Sequence, residues 1–171
     1  NINAGYVTTF NEFSVVSENR VTKISSNIDL EMAALFGCAV TTGLGVIAND
    51  AEVKLGQSVI IFGSGGIGLN MIQGAKLSGA YPIIAIDLYD HKLEVAKSFG
   101  AHYTINTNNQ EIDSELSKIL TNNKADIVID NTGNVKVISK CYDITSDTGR
   151  TVLVGVPRVG EKVSINTLPL H

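Results

Sequence analysis

Gly63-Ser64-Gly65-Gly66-Ile67-Gly68 is the stretch of this chain whose residue types and spacing could do chemistry. Gly63, Gly65 and Gly68 match G-x-G-x-x-G. The turn follows Ser58-Val59-Ile60-Ile61-Phe62, an apolar β-branched run that suits a strand buried on both faces. A helix-periodic segment from Leu69 to Ser78 comes next, then Ile83-Ile84-Ala85-Ile86 and the acid Asp87. In that order the elements form a dinucleotide-binding fingerprint. Gly63 permits a tight turn, Gly65 lets the backbone approach a pyrophosphate, and Gly68 removes a side chain where helix meets strand. The helix that opens here points unpaired N–H groups and its positive dipole end at the phosphates, and Gly66 and Ile67 count with the glycines as cofactor-binding residues. Asp87 would accept hydrogen bonds from a ribose diol, and its charge would repel a 2′-phosphate, which favours NAD over NADP. The competing reading is a glycine turn that serves another ligand, such as S-adenosylmethionine.

A parallel sheet has to hold these residues, and the rest of the chain supplies one. A helix is predicted from about His91 to Phe99, with Leu93, Val95 and Ala96 inward and Gly100 as its stop. His102-Tyr103-Thr104-Ile105 reads as a third strand, and Glu111 to Leu120 as a helix. Ala125 to Asp130 reads as a fourth strand, followed by a helix with Val137, Ile138 and Cys141. Thr151 to Val156 is the fifth strand, introduced by Gly149-Arg150 and stopped by Pro157. Strands alternating with helices at this spacing predict β-α-β units, five parallel strands and helices on both faces: an α/β, doubly wound sheet. A sixth strand would fall after Leu170. Asn106 to Gln110 reads as plain polar loop.

Upstream, residues Asn1 to Lys23 carry Tyr6, Phe10, Phe13, Val15-Val16 and Val21. They read as short strands with turns at Asn11-Glu12 and Glu18-Asn19, the tail of a β architecture. The expected domains are therefore 1–28, this β remnant, and 29–171, the nucleotide-binding unit. Asp29 can cap a helix through Met32-Ala33-Ala34-Leu35. Gly37-Cys38-Ala39-Val40-Thr41-Thr42-Gly43 is expected to interrupt it before a second helical run. Over 171 residues, 44% are hydrophobic and 18% charged, with a net charge of −4 and no basic cluster. This is an ordinary globular composition that argues against a nucleic-acid surface. No apolar run is expected to approach a membrane span, and no signal peptide is recognised. Two distant cysteines, Cys38 and Cys141, point to a reducing cytoplasm rather than a disulfide framework. The absence of an initiator methionine suggests a fragment.

The Gly-Cys-x-x-x-Thr-Gly segment at residues 37–43, just upstream of the fingerprint, resembles the medium-chain zinc-dependent alcohol dehydrogenases. The resemblance also covers Thr8 to Phe13, Asp87-Leu88, Lys92, Gly100-Ala101-His102 and Val154-Gly155-Val156-Pro157. It implies a Rossmann-fold coenzyme domain preceded by the end of a GroES-like catalytic domain. It also implies that Cys38 is one of three zinc ligands, the other two lying outside this chain. A Cys₂His set with an open fourth position polarises an alcohol oxygen. None of His91, His102 and His171 fits a missing ligand position. By the same resemblance Thr42 touches the nicotinamide side, Lys92 the adenosine ribose and Thr132 the adenine loop, while Val154 and Val156 flank the nicotinamide. Each also has a plainer reading: Thr42 as a cap, Lys92 as an exposed helix lysine, the valines as strand-end packing. Cys141 reads as core, and Asp130 receives no catalytic role.

The expected function is the NAD-binding half of an alcohol dehydrogenase acting on a small alcohol or aldehyde, homo-oligomeric in its complete form. Alone it is expected to bind NAD with little or no turnover and not to hold zinc. A non-catalytic NAD-sensing module would have no use for Cys38. A zinc-free NADPH reductase would want a basic or small residue in place of Asp87.

Overall fold

The computed structural model describes residues 12–166, and these fall into two compact units, divided between Ala33 and Ala34. In the larger unit five strands form one parallel sheet in the order β3-β2-β1-β4-β5. They are β1 (Val59–Phe62), β2 (Ile83–Asp87), β3 (Tyr103–Asn106), β4 (Ala125–Asp130) and β5 (Thr145–Leu153). The register sets Phe62 level with Ile86 on one side and Asp130 on the other. Gly63, Asp87 and Asn131 therefore leave the sheet together at its carboxyl edge. The strand order reverses direction beside β1, and open α/β sheets place ligands outside the carboxyl ends at that point.

The two faces bury separate cores. Ile61, Ile83 and Ala85 pack with Ile47, Met71, Ile72 and Leu93 on one side. Ile60, Phe62, Ile84, Ile86 and Val128 pack with Leu116, Cys141 and Ile144 on the other. Alternate residues of each strand serve opposite faces, which explains runs that are apolar throughout. Each isoleucine buried this way contributes about 1.5–3 kcal/mol. The layers are supplied by α3 (Gly66–Leu77), α4 (Asp90–Phe99), α5 (Ile112–Ser117) and α6 (Val135–Asp143).

The expected break at residues 37–43 does not occur. α1 (Leu30–Leu35) and α2 (Thr41–Gly45) join through a π turn at Phe36–Val40, and a second π turn, Val46–Asp50, follows. Helical backbone persists because the wider turns absorb extra residues, and the Thr41 hydroxyl donates back to the Phe36 carbonyl. The resulting helix, Leu30–Asp50, has 21 residues, and its most apolar 18 residues have a mean hydropathy of 1.7. By length and composition it could cross a membrane, so the expectation that no apolar run approaches a span is corrected. The glycines that seemed to divide the segment do not. Gly43 serves contact instead: a Cβ there would lie 2.5 Å from Cβ of Asn70 on α3.

Smaller differences have local causes. Residues 12–33 form a 3₁₀ turn at Glu18–Arg20 and no strand, so Val15, Val16 and Val21 lie outside any ladder. The expectations for Tyr6, residues 8–11 and a strand after Leu170 fall outside the described residues. Asp29 does cap its helix, accepting from the N–H of Glu31 at 2.8 Å. Val95 faces outward, leaving Leu93 and Ala96 as the buried face of α4. α5 ends at Ser117, short of the expected Leu120, and Ile119 and Leu120 pack on the core from beyond it. β5 begins at Thr145, before Gly149-Arg150, because a bulge between the Ala125 and Ile127 pairings takes up the intervening residues.

Cys141 is fully buried on α6. Burial, and after it the neighbouring Asp130 carboxylate, pushes its thiol up from the ordinary value. The unfolded thiol releases its proton near 9.0, so above that pH the unfolded chain binds fewer protons than the folded one and stability falls as pH rises. Thiol titration of the native protein should label exposed Cys38 quickly and Cys141 only on unfolding. Equally fast labelling of both would contradict this placement.

Candidate functional site

The turn after β1 is held by contacts that explain each glycine. Gly63 adopts φ +92°, and its N–H donates to the Ile86 carbonyl at 2.8 Å. A Cβ on Gly68 would sit 1.9 Å from the Gly63 carbonyl oxygen, so α3 can begin this close to β1 only without a side chain there. A Cβ on Gly65 would meet nothing within 4 Å. Gly65 borders a cavity, and no side chain caps α3, which leaves its first-turn N–H groups to an outside acceptor.

Asp87, at the end of β2, lies across this turn. Its Oδ2 accepts the Ser64 N–H at 2.8 Å, and its Oδ1 accepts those of Leu88 and Tyr89 at 2.7 and 3.1 Å. A half-buried carboxylate thereby ties the glycine turn to the start of α4. The cavity beside it measures about 520 Å³ and opens at the carboxyl edge of the sheet. Gly63, Gly65, Asp87, Leu88, Lys92 and Thr132 line it together. Lys92 is half-buried rather than a free surface lysine, with Nζ 5.0 Å from the centroid of the Tyr89 ring.

The other expected site residues lie outside the cavity wall. Gly66 and Ile67 form the first turn of α3, and Gly68 is buried behind it. Thr42 is half-buried inside the continuous helix and caps nothing. Val154 and Val156 follow β5; Val154 packs on the core, whereas Val156 is 88% exposed. Sequence reasoning missed Tyr89, Asn131, Asn134, Lys136, Val137 and Lys140, all in the wall. Lys136 and Lys140 are one helical turn apart on α6, a spacing that could have marked one face. Lys140 pairs with Asp113 at 2.5 Å.

Asp130 has a larger part than the sequence suggested. It is fully buried, and its Oδ1 accepts from the N–H and hydroxyl of Thr132 at 2.9 and 2.6 Å. Oδ2 accepts the Gly133 N–H at 3.0 Å, and the Asp130 carbonyl accepts from Val154 and Gly155. Two loops of the carboxyl edge thus hang on one residue.

A profile described as zinc-binding dehydrogenase matches residues 66–171. The chain belongs to that family. S-(hydroxymethyl)glutathione dehydrogenase of Paracoccus denitrificans is 36% identical over 95% of this chain and 45% of its own length. Alcohol dehydrogenase class-3 of Cereibacter sphaeroides is 35% identical over the same shares. The crystal structure of benzyl alcohol dehydrogenase from Acinetobacter calcoaceticus superposes with a TM-score of 0.85 at 27% identity, covering 92% of this chain and 43% of that one. This zinc-binding dehydrogenase chain therefore spans less than half the length of these relatives.

Cys38 is exposed, and no group of three His, Cys, Asp or Glu side chains among the described residues could hold a metal ion. Catalytic zinc needs three protein ligands, so the described residues do not by themselves fit a zinc centre. His102 is engaged elsewhere, its Nδ1 accepting the Ile83 N–H at 3.0 Å.

Asp130→Ala would orphan three donors at the base of the Thr132 loop. We expect a stability loss of about 2–4 kcal/mol in urea unfolding. A loss below about 0.5 kcal/mol would be the size of a neutral surface change and would contradict this role.

Proposed function

We propose that this chain is the NAD-binding part of a zinc-dependent alcohol dehydrogenase, with residues 1–28 the end of the catalytic domain and 29–171 the coenzyme domain. The observation that carries the reading is the Asp87 carboxylate, fixed across the glycine turn at the mouth of the cavity. A carboxylate offers about four acceptor sites. Three are taken by backbone N–H groups, which leaves one on Oδ2 for a ribose hydroxyl. The open space at Gly65 and the uncapped start of α3 suit a pyrophosphate. Lys92, Thr132 and the apolar wall around Ile86 and Val137 suit an adenosine.

When bound, NAD supplies the hydride-accepting nicotinamide. This chain's own contribution is to bind and orient it. Asp87 fixes the ribose and rejects a 2′-phosphate, the α3 N–H groups hold the pyrophosphate, and Thr42, Val154 and Val156 are assigned to the nicotinamide side. Cys38 is assigned as one of three zinc ligands, and the complete protein as a homo-oligomer acting on a small alcohol or aldehyde. This chain alone is assigned binding with little or no turnover.

Calorimetric titration with NADH, NADPH and S-adenosylmethionine tests the reading. NADH should bind at least about tenfold tighter than NADPH, from repulsion between Asp87 and the added phosphate. Asp87→Asn keeps an acceptor for the Ser64 N–H while removing the charge, and should narrow that gap. Preference for S-adenosylmethionine, or no dinucleotide binding, would overturn it.

A further inference from the structure

The segment Asn106-Thr107-Asn108-Asn109-Gln110, plain polar loop by sequence, is built as a clasp. Asn106 is only 5% exposed. Its Oδ1 accepts the Asn108 N–H at 2.9 Å, its own N–H donates to Gln110 Oε1 at 2.8 Å, and its carbonyl accepts from Asn109 and Gln110. These bonds shape the turn. Three others leave it, and all three land on residues 87–90. The Thr107 N–H donates to the Asp87 carbonyl at 3.1 Å, Asn108 Nδ2 to the Leu88 carbonyl at 2.7 Å, and Asn106 Nδ2 to Asp90 Oδ1 at 2.5 Å.

Residues 87–90 are thus held from outside while the Asp87 carboxylate holds them from within. Their position decides how much room lies beside that carboxylate at the cavity mouth. Charge alone disfavours a 2′-phosphate, but a loop free to swing back would relieve both repulsion and crowding. Three bonds to its backbone and its helix start remove that freedom.

We propose that Asn106 and Asn108 are positioning residues that fix the Asp87 loop, and so set the preference for a dinucleotide with a free ribose 2′-hydroxyl over one bearing a 2′-phosphate. The proposal rests on the NAD-binding reading above. Neither asparagine lines the cavity, so both act through Asp87 and its neighbours.

The test is Asn108→Ala in the 171-residue chain. Asn108 is exposed, so its truncation leaves no cavity. NADH and NADPH affinities are measured by calorimetry alongside the melting temperature. Loss of one hydrogen bond that positions the loop should weaken NADH about fivefold. NADPH should be unchanged or tighter, so the ratio of the two constants falls by about the same factor. Asn108→Ser, which keeps a short donor, should recover part of the ratio. Parallel weakening of both cofactors, an unchanged ratio, or a variant that no longer folds would assign Asn108 to the scaffold and overturn the proposal while the NAD reading stands. Failure of the unaltered chain to bind either dinucleotide would overturn both.

Discussion

No side chain fits between the α-carbon of Gly68 and the carbonyl of Gly63, where an added Cβ would lie 1.9 Å from the oxygen. That steric constraint sets how closely α3 follows β1, and the carboxyl edge is arranged around it. The turn needs Gly63 at φ +92°, which ordinary side chains resist. It presents the uncapped start of α3 beside the cavity, and it offers the Ser64 N–H to Asp87. Each later feature depends on that first close approach. With α3 displaced outward, the Asp87 bridge would lose its donor.

Two carboxylates flank β1, Asp130 level with Phe62 and Asp87 one residue further toward the carboxyl edge, and burial separates their roles. Asp130 ends β4 fully buried, its oxygens committed to Thr132 and Gly133, so no ligand reaches it. Its work is to hold two loops in register. Asp87 ends β2 half-buried and lines the cavity with one acceptor site to spare. An acid that is buried and satisfied shapes the edge; one that is satisfied but reachable can also select what binds there.

How much of this was legible in the sequence follows from the range of each interaction. The glycine spacing reports a contact five residues apart, and the continuous apolar strands report burial on both faces, so the turn, the parallel sheet and Asp87 could all be read. The asparagine clasp could not, because Asn106 meets Asp90 from sixteen residues away and polar loops seldom bury their first residue. Asp130 looked idle for the opposite reason: its partners lie two and three residues on, inside a turn that composition alone does not define. The helix through Gly43 was hidden because that glycine serves a close contact with Asn70 rather than a break, while Gly37, with open space around it, has no packing reason of this kind. The early start of β5 was hidden by a bulge, which no hydrophobic period reveals.

The central claim is that the glycine turn and the Asp87 loop form one ligand-binding edge. Amide NMR during titration with NADH tests it most directly. The account predicts that the largest shifts fall on Ser64 to Gly68, on Asp87 to Lys92 and on Asn131 to Asn134, all with a single apparent affinity. Saturable binding that leaves Ser64 to Gly68 unmoved, or that shifts the two segments with different affinities, would contradict it.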